Sequence, residues 1–324
     1  MTRTKQMLAA MLTGAALALG ALSAQAANIA VVGGSNDDAF WNLIKKGLDD
    51  ATPGIVANGG SVNYLRLVNY DNFAPDVVGL IRTAISQKVD GLVIPNWVPE
   101  AEDPAIKDAM AAGIKVILMN AGGADKAKEL GAINYVGSDE YIAGVSGGET
   151  FAAKGSKNVL CVNTIPGAAN LEARCKGVMD GITAKGGKST QLPLPSTAFG
   201  NATAVAEAIK AELIKDATVD GIITISAGDA DSAAIGIQQA DKVAGVKLGS
   251  FDLNKAGLDR IKGGTQAFAI DQQPYLQGYL AVSLLASAID FGTSLPIFPV
   301  LTGPGIVDET NIDATLSGVA KGAR

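Results

Sequence analysis

The chain is 324 residues long, with 26 basic side chains, 32 acidic ones and no histidine. That length holds one large domain or two ordinary ones, and its acidic balance argues against nucleic acid or an anionic membrane surface as partner. Without histidine there can be no Ser-His-Asp or Cys-His nucleophile system and no His-rich zinc site, although carboxylate-pair enzymes survive that test.

Arg3 and Lys5 open the chain, residues 7–24 are apolar or small, and Ala24-Gln25-Ala26 is a small-x-small cleavage site. This is the pattern of a secretory signal peptide over residues 1–26, and it predicts a periplasmic location. Thr13, Gly14, Gly20 and Ser23 interrupt the apolar run, leaving it short of the ~20 apolar residues of a membrane span.

After the leader, strand and helix patterns alternate. Residues 28–33 (NIAVVG) read as a strand, and 38–51 space Phe40, Leu43, Ile44 and Leu48 as a helix. The spacing predicts strands at 61–68, 91–94 and 115–120, with helices opening at Pro75 and covering 101–112. The series then restarts with helices at 141–153, 170–184, 202–215, 230–243, 255–262 and 275–290. Strands are expected at 158–163, 189–194, 221–226, 246–252, 267–271 and 297–301. Continuous Val/Ile/Leu runs suit parallel strands covered on both faces. The predicted fold is therefore α/β, with two doubly wound, Rossmann-like lobes. Crossovers near 137–138, 272 and 302–303 make a three-segment hinge. They divide the chain into residues 27–137 plus 273–302 and residues 138–272 plus 303–324. Cys161 and Cys175, the only cysteines, are read either as a disulfide of an oxidising compartment or as two buried thiols.

Ligands in such folds bind beyond the carboxyl ends of the strands. Those positions hold Asp38, Phe40 and Trp41, then Asn96 and Trp97, then Asn120. In the second series they hold Asn170, Arg174, Asp229, Asp231, Asp252 and Gln272. Both tryptophans fall in this set. A flat ring packs on the C–H face of a sugar or polyol and excludes water. Amides, carboxylates and a guanidinium fork take the hydroxyls. Each residue also has a structural reading: Trp41 as core, Asp252 as a helix cap, Arg174 as a solvated surface charge on its helix; if Arg174 binds the ligand instead, its change to Ala is expected to weaken binding strongly without unfolding the protein. Asp139 reads as a helix cap rather than a ligand group.

DDAFWNLIKKGLDDA (37–51), DGLVIPN (90–96), YVGSDEYIAG (135–144), LEARCKGVMDGI (171–182), GSFD (249–252) and AIDQQP (269–274) occur in this order. Together they resemble the type I periplasmic binding proteins, in particular the ribose-binding branch, over nearly all of residues 28–302. The resemblance implies three hinge strands, closure of two lobes around one sugar, and delivery to an ATP-driven ABC permease. A chemoreceptor would be a further partner, and no cofactor or metal is implied. It places Phe40 and Trp41 on one side of the ligand and Phe199 on the other. Asp38, Arg174, Asp252 and Gln272 become polar contacts, with Asp231 as a further one. Asn120-Ala121 stands where the family commonly has an Asp-Arg pair, which turns the expectation from ribose towards other monosaccharides and polyols. The competing readings are a binding protein for a signalling furanone or an amino acid, an exported glycosidase, and a sugar-responsive regulator.

Overall fold

The computed structural model describes residues 26–322 and 324; the expected signal peptide, apart from Ala26, lies outside the described residues. The chain begins with β1 (Asn28–Gly33), α1 (Ala39–Ala57), β2 (Ser61–Arg66), α2 (Phe73–Ser86), β3 (Gly91–Ile94), α3 (Pro99–Ala111), β4 (Lys115–Met119), α4 (Gly123–Leu130) and β5 (Asn134–Ser138). It continues with α5 (Glu140–Ala153), β6 (Asn158–Asn163), α6 (Ala169–Thr183), β7 (Lys188–Pro193), α7 (Ala202–Lys215), β8 (Gly221–Thr224), α8 (Ala227–Gln239), β9 (Lys247–Phe251), α9 (Lys255–Lys262) and β10 (Phe268–Asp271). It closes with α10 (Pro274–Asp290), β11 (Val300–Gly303), β12 (Gly305–Val307) and α11 (Ile312–Ala320).

Two sheets result, ordered β11-β5-β4-β3-β1-β2 and β12-β10-β9-β8-β6-β7. The first is parallel throughout, and the second is parallel except where β12 runs against β10. Among the described residues the chain passes between sheets after β5, after β10 and between β11 and β12. The strand interiors are buried end to end in β3, β5, β6, β8 and β10. Helices on both faces supply the apolar cover that such runs need.

The structure adds elements that periodicity does not announce. α4 begins at Gly122-Gly123, where both glycines take positive φ (94° and 75°) and deliver the chain straight into a helix. β5 hides in the YVGSDEYIAG run, and β12 and α11 follow a last strand that lies at 300–303 rather than 297–301. α8 starts at Ala227, before the expected 230, because Ser226 caps it by accepting from Asp229 N.

Cys161 and Cys175 form a disulfide with a Cα–Cα distance of 5.6 Å, which ties β6 to α6 beside Arg174. Closing a loop of this length restricts the unfolded chain and contributes about 3 kcal/mol. A Cys161→Ala/Cys175→Ala variant is expected to unfold at lower denaturant, less stable by about that amount. An unchanged midpoint would show that the bridge adds nothing.

α5 and α6 touch backbone to backbone. A Cβ on Gly144 would lie 2.2 Å from Arg174 O, and one on Gly177 would lie 2.2 Å from Tyr141 O. Only glycine allows this approach. It brings Glu140, at the start of α5, against Arg174 on α6.

Candidate functional site

The carboxyl ends of both sheets face one another across a cleft, which encloses an empty volume of about 450 Å³, partly open to solvent. Asp38, Phe40, Trp41, Tyr70, Phe73, Trp97 and Asn120 line it from the first lobe. Asn170, Arg174, Phe199, Ser226, Asp252 and Gln272 line it from the second and its crossover.

The aromatic wall is continuous. Trp41 meets Phe40 and Trp97 edge to face, with both pairs of ring centroids 5.3 Å apart. Phe73 lies 5.2 Å from Trp97, and Tyr70 lies 5.5 Å from Phe73. Tyr70 then reaches across the cleft to Phe199 at 5.0 Å, edge to face. Edge-to-face pairs hold each ring in place and leave faces free to cover an apolar ligand surface.

The polar groups are held just as firmly. Asp38 caps α1 by accepting from Phe40 N (3.0 Å), and its other oxygen accepts from Tyr70 OH (2.8 Å). Arg174 is buried and donates from Nε to Glu140 (2.6 Å), from Nη1 to Ile225 O (2.9 Å) and from Nη2 to Gln272 Oε1 (2.7 Å). Its guanidinium also lies 4.5 Å over the Phe251 ring. These bonds use three of its five N–H donors, and each Nη keeps one N–H outside them. Gln272 passes the order on by donating to Asp252.

Asn120 and Asp252 follow β4 and β9, which hold corresponding positions in the two sheets. Both adopt left-handed backbone, with φ of 65° and 66°. Asn and Asp tolerate this conformation better than other side chains, and such strain collects where a side chain must be aimed.

Burial pushes the Asp252 carboxyl up to about 7 despite Arg174 and Gln272, which pull it down. Burial also raises Asp38, against its bond from Tyr70. Deeper in the lobes, burial lifts Asp229 to about 6 and Glu102 to about 8. A carboxyl whose folded value is raised contributes stability that is fully present below its unfolded value and is lost as pH climbs through the folded one. The ligand-free melting temperature is therefore expected to fall between about pH 5 and about pH 8. A flat or rising thermal-unfolding profile would contradict this.

Two residues expected in the site lie elsewhere. Asn96 is buried behind the wall, where its amide donates to Asp103 (2.8 Å), itself paired with Lys126. Asp103 of α3 captures it, and Trp97 alone lines the cleft from this loop. Asp231 lies a turn into α8, bonded to Arg260 (2.7 Å) and Asn254 (2.8 Å) in an adjoining groove that shares Asp38, Phe199 and Asp252 with the cleft. Because α8 starts early, Ser226 takes the position at the cleft. Tyr70, Phe73 and Ser226 were not anticipated. Tyr70 and Phe73 lie just past the end of β2, and that position is the sequence signal that finds them. Asn170, the second residue of α6, enters the cleft with its Oδ1 buried and unpartnered among the described residues. Asp139 caps α5 by accepting from Ile142 N.

A family model described as a periplasmic binding protein domain matches residues 29–294. The xylose/arabinose-binding protein XylF of Sulfolobus acidocaldarius is 26% identical over 254 residues, covering 74% of this chain and 62% of that protein. The match thus spans less than two thirds of that relative's length. A carbohydrate transporter from Acidothermus cellulolyticus 11B, solved in complex with myo-inositol, superposes with a TM-score of 0.82 at 34% identity, over 92% of this chain and 99% of that one. A carbohydrate transporter solute-binding protein from Agrobacterium radiobacter, in complex with D-arabinose, shares the fold (TM-score 0.76, 20% identity, 91% and 98% covered).

Proposed function

The chain belongs to the type I periplasmic binding protein family, and from that premise we propose that it is an exported solute-binding protein for a monosaccharide or polyol, with a cyclic polyol such as myo-inositol as first candidate. The observation that carries this reading is the cleft itself: an aromatic box from both lobes around Asp38, Asn120, Arg174, Asp252 and Gln272. Rings take the C–H faces of the ligand, while carboxylates, amides and the guanidinium take its hydroxyls. The similarity to a chain that holds myo-inositol favours a polyol.

In this reading the ligand docks on one lobe and the closed form gains because only it presents both half-sites. Closure excludes water, so an unmatched hydroxyl is costly and stereochemistry is read. Micromolar binding requires roughly 8 kcal/mol, within reach of one buried ring face and several charge-assisted bonds. The ligand leaves unchanged, passed to an ABC permease that recognises the closed lobes; a chemoreceptor would read the same surface. An amino-acid ligand is disfavoured because Arg174, the one cation lining the cavity among the described residues, is already paired with Glu140.

The test is a thermal-shift screen of the purified chain against cyclic and acyclic polyols, pentoses, hexoses and amino acids, with product analysis. Stabilisation by one polyol or monosaccharide without turnover supports the reading. Turnover, or a response confined to amino acids, sinks it.

A further inference from the structure

Glu102 is a buried carboxyl that does not itself line the ligand cavity. It sits in the first turn of α3 and is fully buried. Its oxygens accept from two successive backbone amides, Val98 N at 2.8 Å and Trp97 N at 3.2 Å. The charged neighbour bearing on it is Asp103, of like sign. A carboxyl buried this way acts through what it holds, and it holds the 97–98 segment at a fixed angle.

That angle has a consequence across the cleft. The Trp97 carbonyl accepts from Ala169 N at 2.7 Å. Trp97 belongs to the first lobe, whereas Ala169 is the first residue of α6, the second-lobe helix that carries Asn170 and Arg174. Among the described residues, this is the main-chain hydrogen bond that joins the lobes away from their crossovers. The same Trp97 presents its ring to the ligand cavity, so one residue both walls the cavity and fastens it.

We propose that the bond from Ala169 N to Trp97 O is a latch of the closed form, and that Glu102 is the positioning residue that aims it. The affinity of this chain is then set partly by groups that never touch the ligand. The proposal rests on the reading that the lobes close around a small solute.

The structure supplies a clean probe. Ala168 has φ −74° and ψ 118°, the conformation favoured before proline, and proline is well tolerated at the first position of a helix. Ala169→Pro therefore leaves α6 intact, removes the donor, and puts a ring carbon where the latch must close. Glu102→Gln keeps the volume but turns an amide NH₂ towards a backbone N–H, so one of the two bonds is lost.

Two readouts are taken: affinity for myo-inositol, or for whichever polyol or sugar stabilises the wild type, and the radius of gyration of the ligand-free protein from small-angle scattering. Each single variant is expected to weaken binding about tenfold, the loss of one hydrogen bond, and to scatter as a more open molecule. The double variant is expected to be no weaker than Ala169→Pro alone, because both changes break the same latch. If Ala169→Pro leaves affinity and scattering unchanged, the latch is refuted. If the two losses add, Glu102 acts by another route and its assignment fails. Should Glu102→Gln not fold, Glu102→Asp, which withdraws the carboxylate by one methylene, takes its place in the cycle. A wild type that binds no sugar or polyol contradicts the proposed function, while the scattering comparison still decides the latch.

Discussion

Arg174→Ala is expected to abolish ligand binding and to lower the unfolding free energy by about 3–5 kcal/mol, the cost of stranding a buried charge. The sequence alone suggests that this change weakens binding and leaves the fold untouched. The structure says otherwise: Glu140 is buried against Arg174 at 2.6 Å, so removing the guanidinium leaves a carboxylate in the interior with no cation. Gln272 and the Ile225 carbonyl lose their donor as well. The two losses can be separated. Arg174→Met combined with Glu140→Gln removes both charges while keeping volume, and should recover most of the stability but none of the binding. Chemical denaturation and ligand titration of the pair of variants check this. An Arg174→Ala protein as stable as wild type would show that Glu140 is not held as a buried anion.

Trp41→Ala is expected to be the most damaging change in the aromatic wall. Trp41 is buried at 4% exposure and packs on Phe40 and Trp97, so truncation costs about 3–5 kcal/mol as a core cavity. The ligand loses a ring face as well, worth roughly 2–3 kcal/mol of apolar contact, or about a hundredfold in affinity. Trp41→Phe keeps a ring in the wall and should retain most of the stability with a smaller loss of affinity. If Trp41→Ala binds as wild type does, the indole is core alone and the ligand lies elsewhere in the cleft.

The fold was legible because buried parallel strands leave unbroken Val/Ile/Leu runs, as in GLVI and KVILM. Strand-end residues were legible for the same reason: topology puts them at one mouth. Position in the chain does not show side-chain direction, and there the reading slipped. Asn96 follows a strand as Trp97 does, yet Asp103 on the next helix turns its amide away. Asp231 lies near a strand end, but the Ser226 cap starts α8 early and carries it round to Arg260. Tyr70 comes from a loop with no periodic signature, and its place opposite Phe199 depends on how the two lobes face each other. The disulfide was undecidable because spacing does not report the 5.6 Å between the Cα atoms.

The most direct test of the central claim is a tryptophan-fluorescence titration of the purified protein with myo-inositol, alongside pentoses, hexoses and amino acids. Trp41 and Trp97 both wall the cleft, so a bound solute must alter their surroundings. A saturable one-to-one change with a polyol or a monosaccharide, and none with amino acids, is the result this account predicts. No response to any polyol or sugar, with saturation by an amino acid or another small molecule, would keep the fold and contradict the assigned ligand.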